Sequence, residues 1–102
     1  MRIIARKTVR AYWERYRGSD QPTLENALKA WYREASKAQW ATANDVKRKY
    51  RSASILKKGR VVFNICGNKF RLVVWVNYSV GVVYIKWVGT HAEYDDIDAE
   101  EV

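Results

Sequence analysis

The chain has 102 residues, one cysteine and no apolar run long enough to span a bilayer, which leaves room for one compact core and excludes an internal disulfide or a cysteine-built metal cage. Hydrophobic residues make up 48% of it, so disorder is not the default reading, and 19 lysines and arginines against 11 acids give a net charge of +8. Six of those acids (Glu93, Asp95, Asp96, Asp98, Glu100 and Glu101) crowd the last ten residues, leaving a net +14 over residues 1–92, a field that steers polyanions in.

Residues 2–5 read as a short first strand. From Arg6 to about Arg17, Val9, Tyr12, Trp13 and Tyr16 repeat at the spacing of one helix face, with Arg6, Arg10 and Arg17 off it. Gly18-Ser19-Asp20 breaks that helix. Asp20 or Gln21 can cap a second one, in which Pro22 is tolerated in the first turn and Leu24, Ala27, Leu28, Trp31 and Ala35 form the apolar face. The two segments predict a helical hairpin whose aromatic stripe is core rather than a base-stacking surface. Residues 38–43 are a connector carrying Trp40. A third helix is expected over residues 42–50, with the basic cluster Lys47-Arg48-Lys49-Tyr50-Arg51, and residues 52–59 read as a loop.

From Arg60 the apolar period becomes two. Residues 60–66 and 69–77 are predicted strands joined by a Gly67-Asn68 hairpin turn. That turn pairs Cys66 with Lys69, Asn64 with Arg71, Val62 with Val73 and Arg60 with Trp75, all on one face. Val61, Phe63, Ile65, Phe70, Leu72, Val74 and Val76 occupy the other, which must lie on the helices. The face carrying Arg60, Asn64, Lys69, Arg71 and Trp75 is expected to be partly open. A further strand over residues 82–88 adds Tyr84 and Lys86 to it by strict alternation, before Gly89 and Thr90 break the strand. His91, the single histidine, follows, with Glu93, Tyr94 and Asp95 behind it.

Arginine, lysine and exposed aromatics ending in one histidine point to work on RNA. A phosphodiester across this face sets three tasks: accepting the 2′ proton, stabilising charge on a phosphorane-like transition state, and protonating the departing 5′ oxygen. Arg71 and Lys86 suit the second task. His91 suits the first or the third, so it needs a partner, for which Tyr94, Glu93 and Lys69 are candidates. Tyr84 and Tyr94 can also stack a splayed base. One histidine and a few tail acids give no metal-ligand spacing, so neither metal nor cofactor is expected.

The run Val62-Phe63-Asn64-Ile65-Cys66-Gly67-Asn68-Lys69-Phe70-Arg71-Leu72, then Tyr84-Ile85-Lys86, then Thr90-His91-Ala92-Glu93-Tyr94-Asp95, resembles the HigB family of toxins, bacterial mRNA interferases of the RelE-like superfamily. The likeness extends upstream to Trp40-Ala41-Thr42-Ala43-Asn44-Asp45-Val46-Lys47 and Ser52-Ala53-Ser54-Ile55-Leu56. The resemblance implies a single RelE-like toxin domain over residues 1–102, of α+β class, with helices packed on one face of a small, mainly antiparallel sheet. It implies endonucleolytic cleavage of mRNA without metal, usually on the translating ribosome, while the single cysteine and the charged N-terminus without a long apolar stretch fit a cytoplasmic setting. It also implies a cognate antitoxin, often a helix-turn-helix protein. Functional positions of the family carry over to Arg71, His91 and Tyr94. The face argument adds Lys69, Lys86, Tyr84, Asn64 and Arg60 as RNA contacts, and the third helix adds Lys47, Arg48 and Lys49.

The competing readings are a non-catalytic basic RNA-binding module, an inactivated toxin homologue, and a small structural subunit of a larger complex. The first needs the charge and the aromatics but has no use for the 90–95 constellation.

Overall fold

A computed structural model describes residues 1–102. The elements run β1 (Arg2–Ile4), α1 (Arg6–Arg15), α2 (Gln21–Lys37), α3 (Ala43–Lys49), β2 (Ser54–Ile55), a 3-10 turn (Lys57–Gly59), β3 (Arg60–Ile65), β4 (Phe70–Asn77), β5 (Val82–Thr90) and α4 (His91–Tyr94). The five strands form one sheet in the order β1-β5-β4-β3-β2. β1 runs parallel to β5, and the other three pairings are antiparallel. This is the expected α+β architecture. No helix is long and apolar enough to cross a membrane.

The helices form where the apolar spacing places them. Val9, Tyr12 and Trp13 of α1 and Leu24, Leu28, Trp31 and Ala35 of α2 are buried. They meet Val61, Phe63, Ile65, Phe70, Leu72, Val74 and Val76, so the sheet face assigned to the core is the core face. Phe63 anchors the assembly: Trp31, Trp40 and Tyr50 surround its ring at centroid distances of 5.4, 6.2 and 5.0 Å. The aromatic stripe of the helices is thus core, in edge-on and stacked contacts that add to simple area burial. α3 starts at Thr42, whose hydroxyl accepts from the Asp45 amide while the Asp45 carboxylate accepts from the Thr42 amide, a reciprocal cap.

The β3–β4 register is the expected one: Arg60 opposite Trp75, Val62 opposite Val73, and Asn64 opposite Arg71. The ladder ends at Ile65–Phe70. Residues 66–69 then close a turn in which the Lys69 amide donates to the Cys66 carbonyl at 3.3 Å. Gly67 takes a φ of +66° there, a conformation that glycine adopts without strain.

Three expectations are corrected. Residues 52–59 are not only a loop, because Ser54 and Ile55 add an edge strand to β3. β5 does not stop at Val88: Gly89 and Thr90 stay in the ladder opposite Arg71 and Phe70. Strict alternation along β5 also fails. Val74 pairs with Ile85 and Val73 with Trp87, which leaves Lys86 as the extra residue of a bulge. Burial explains the slip, because it brings Val88 into the core behind Val83 and Ile85 and turns Trp87 to the opposite face.

That opposite face is also less open than alternation alone implies. Val62 and Val73 make a small apolar patch, and Ala99 of the C-terminal segment is buried against them, flanked by Leu56, Trp87, Tyr94, Ile97 and Val102.

Candidate active site

The site forms where the β3–β4 turn meets the end of β5. The His91 amide donates to the Lys69 carbonyl at 2.8 Å, which ties the start of α4 to the turn. α4 is a single turn and depends on its cap. Thr90 Oγ1 accepts from the Glu93 amide at 3.1 Å, and Glu93 Oε1 accepts from the Thr90 amide at 2.8 Å. The same Oε1 accepts from the Tyr12 hydroxyl of α1 at 3.2 Å. The Thr90 amide is the main cause that holds the Glu93 carboxyl below its ordinary value, while burial first and Glu93 second push the Tyr12 phenol well above its own. Glu93 is therefore committed to holding the helix turn and is not the free proton acceptor considered from the sequence.

Arg71 is the one buried charged residue, 9% exposed. One end of its guanidinium donates to the Asn68 and Phe70 carbonyls at 3.1 and 3.3 Å. The other end donates to Asn68 Oδ1 at 2.8 Å and to His91 Nδ1 at 2.9 Å. The Tyr94 ring lies 5.8 Å from the guanidinium carbon, in range for a cation–π contact, and 6.1 Å from the Trp87 ring. Arg71, His91 and Tyr94 thus come together as the sequence predicts.

The Arg71–His91 contact fits one tautomer of the neutral imidazole. A guanidinium can only donate, so Nδ1 must accept, and the ring proton sits on Nε2. Nε2 faces outward on a half-exposed side chain, with Asp95 Oδ2 3.9 Å away. Asp95 carries an acceptor on the side where that N–H points.

The other candidates are scattered. Lys69 lends its carbonyl to His91, but its side chain turns away to lie 3.7 Å from Asp20 on the α1–α2 connection. Lys86, in the bulge, is exposed and sits three residues before Gly89, the partner of Arg71, or about 10 Å along the strand. Tyr84 is further still and stacks on Trp75 at 4.9 Å. The phosphate clamp of Arg71 with Lys86 is therefore not assembled, because the bulge breaks the alternation that placed them side by side. Asn64, half-buried, stands opposite Arg71. Arg60 donates to a main-chain oxygen of Val102. Lys47 donates to the Ala53 carbonyl, Arg48 pairs with Asp45, and exposed Lys49 completes a basic surface apart from the site. No three His, Cys, Asp or Glu side chains group as a metal-binding set.

Three contributors were not singled out from the sequence. Asn68 was read only as a turn former, Tyr12 only as core, and Gly89 only as a strand breaker. The cap alone had a legible signal, since Thr90-His91-Ala92-Glu93 carries the threonine-x-x-glutamate spacing of a capping box.

A family model described as HigB_toxin, the RelE-like toxic component of a toxin–antitoxin system, matches residues 24–97. The chain belongs to the HigB toxin family. The match runs from α2 to just beyond α4 and includes Asn68, Arg71, His91, Glu93 and Tyr94. α1, with the Tyr12 that braces Glu93, and residues 98–102 fall outside it. Among curated proteins no relative matches. As a HigB-family toxin the protein has an antitoxin as its counterpart.

Proposed function

We propose that this toxin is an endoribonuclease that cuts mRNA in the cytoplasm during translation by attack of the ribose 2′-hydroxyl on the adjacent phosphodiester. The 2.9 Å contact between Arg71 and His91 carries the reading, because it couples a cation to the only imidazole in a toxin of this family. In the resting arrangement the terminal N–H groups of Arg71 are engaged by Asn68, Phe70 and His91, so the outward His91 Nε2–H is the donor open to a phosphate oxygen. Protonation of Nδ1 breaks the Arg71 contact, since both groups would then donate. It leaves the imidazole doubly protonated and frees the guanidinium for the phosphate. The 2′-hydroxyl gives up its proton to solvent water as its oxygen bonds to phosphorus, the P–O5′ bond breaks, His91 protonates the departing 5′ oxygen through Nε2, and Arg71 stabilises the equatorial oxygens. Tyr94 supports the guanidinium from below and offers a ring face to a splayed base. Asn64, beside Arg71 on the sheet, hydrogen-bonds the RNA.

Around this centre the basic residues bind rather than react. Lys47, Arg48 and Lys49 contact ribosomal RNA or antitoxin carboxylates. Lys69, Lys86, Tyr84 and Arg60 contact flanking RNA away from the scissile phosphate. The antitoxin is a helix-turn-helix protein. No metal or cofactor enters the scheme.

Translation of a defined mRNA in a reconstituted system, with primer extension to map ends, tests the reading. New ends inside the reading frame are expected with the wild type, and cleavage falls about 10²- to 10⁴-fold in His91→Ala while the fold is kept. A well-folded, fully active His91→Ala protein sinks the assignment. Tight RNA binding with no new ends in either protein favours the non-catalytic module or an inactivated toxin.

A further inference from the structure

The six acids of the C-terminal segment are not idle on the surface of a basic protein. Residues 97–102 cross the sheet face that holds Arg71, His91 and Tyr94. Ala99, 8% exposed, plugs onto Val62 and Val73, whereas Asp98, Glu100 and Glu101 are exposed. Val73 lies on β4 between Arg71 and Trp75, so these carboxylates stand in the middle of the face, separating the site from Arg60 and the stacked Trp75–Tyr84 pair.

The attachment is slight. The turn is held mainly by itself: the Glu101 and Val102 amides donate to the Asp98 carbonyl at 3.0 and 3.1 Å, and the Glu100 amide to Asp98 Oδ1 at 3.0 Å. A single side-chain hydrogen bond, from Arg60, ties residues 98–102 to the sheet. Those residues also lie beyond the family match.

We propose that residues 98–102 are a displaceable strap that competes with single-stranded RNA for the middle of this face. The inference rests on the RNA-cleavage reading above. Phosphates crossing the face meet exposed carboxylates while the strap is seated. Its departure uncovers an arginine, an apolar floor and the edge of Trp87, a composition that holds unpaired nucleotides. A strap open in about a tenth of the molecules weakens apparent RNA affinity about tenfold.

The test is anisotropy of a short fluorescein-labelled 2′-O-methyl oligoribonucleotide, which lacks the attacking hydroxyl, at low salt. Ala99→Asp separates the strap from plain electrostatics. The new carboxylate cannot stay unpaired on Val62 and Val73, so the segment lifts off, although the chain has become more negative. Tighter binding, by about three- to tenfold, is expected, with faster amide exchange at residues 98–102. Deletion of residues 98–102 gives the same gain, and far-UV circular dichroism checks the fold of both. Unchanged or weaker binding in Ala99→Asp, or amides as protected as in the wild type, overturns the strap. Should Ala99→Asp misfold, unchanged or weaker binding by the deletion variant overturns it instead. Wild-type binding with no gain in either variant defeats the strap alone; failure of all three proteins to bind defeats the RNA reading with it.

Discussion

Two regions of the partly covered sheet face are held in opposite ways. At the β3–β4 turn, Arg71 makes four hydrogen bonds, two of them to Asn68 alone, and the turn of α4 is fixed by a reciprocal cap that Tyr12 braces from another helix. Two residues further along β4, over Val73, the C-terminal segment rests on buried Ala99, the half-buried Ile97 and Val102, and one hydrogen bond from Arg60. Both stretches of chain cover the same sheet. The number of independent partners separates them, because a group fixed from several directions can move only by losing all its contacts at once. Preorganised donors are what charge stabilisation requires, and a lightly tethered segment is what displacement requires.

The largest disturbance of the rigid end is expected at Gly89, the cross-strand partner of Arg71. A Cβ there lies 2.4 and 2.6 Å from two atoms of the Trp87 ring and 3.0 Å from Glu93 Oε1. The indole cannot yield without moving from Tyr94, and the cap loses its geometry. Gly89→Ala should destabilise the protein by about 1–3 kcal/mol, as overpacking does, and remove most cleavage. Urea denaturation and the translation assay read the two effects. Wild-type stability would mean that Trp87 swings aside freely and that this end is less rigid than its hydrogen bonds imply.

A smaller effect is expected at Asn68. Asn68→Ala keeps the carbonyl bond to Arg71 but deletes the one from Oδ1. A hydrogen bond to a charged group is worth about 1.5–3 kcal/mol, and solvent exposure at this turn brings the expected loss of cleavage to about tenfold. The single histidine supplies a second readout. With Arg71 loosened, the Nδ1–H tautomer becomes accessible, and the ¹⁵N shifts of the two ring nitrogens move toward each other. Lost cleavage with unmoved ¹⁵N shifts would assign Asn68 to folding rather than to positioning.

What could be read from the residues divides along similar lines. The Gly67-Asn68 turn set the register of β3 and β4, and period-two alternation set the core face, because Val61, Phe63, Ile65, Phe70, Leu72, Val74 and Val76 form one wholly apolar row. That placed Arg71 correctly. β5 was different: Val82, Val83, Val88, Tyr84, Ile85 and Trp87 are apolar or aromatic on both parities, so alternation could not reveal a bulge at Lys86. His91, with Tyr94 as a candidate partner, was legible from its place behind the last strand; the resemblance added that family functional positions fall on them, and it named the family that the match to residues 24–97 shows. Asn68 and Tyr12 stayed hidden because their roles depend on contacts to Arg71 and Glu93 that spacing does not encode. The strap stayed hidden because Asp98, Glu100 and Glu101 mask one buried alanine.

The smallest expected effect concerns the cap and is a matter of pH. The Thr90 amide chiefly, with the Thr90 and Tyr12 hydroxyls, holds the Glu93 carboxyl below its unfolded value despite some burial. A carboxyl lowered on folding contributes stability that is present above its unfolded pKa and is lost as pH falls through the folded one. Glu93→Gln keeps a carbonyl acceptor for the Thr90 amide but removes the charge, so at neutral pH it should cost about 1 kcal/mol. The gap between wild type and variant should then close as the medium is acidified below the ordinary glutamate range, toward the depressed folded value. Thermal unfolding of both proteins across that range measures it. A gap that stays constant with pH would show that the carboxylate charge contributes nothing to the turn, and that the cap works through hydrogen-bond geometry alone. In that case the bracing from Tyr12, which donates to the same oxygen, becomes the element that keeps His91 in place, and Tyr12→Phe would loosen the rigid end where Glu93→Gln does not.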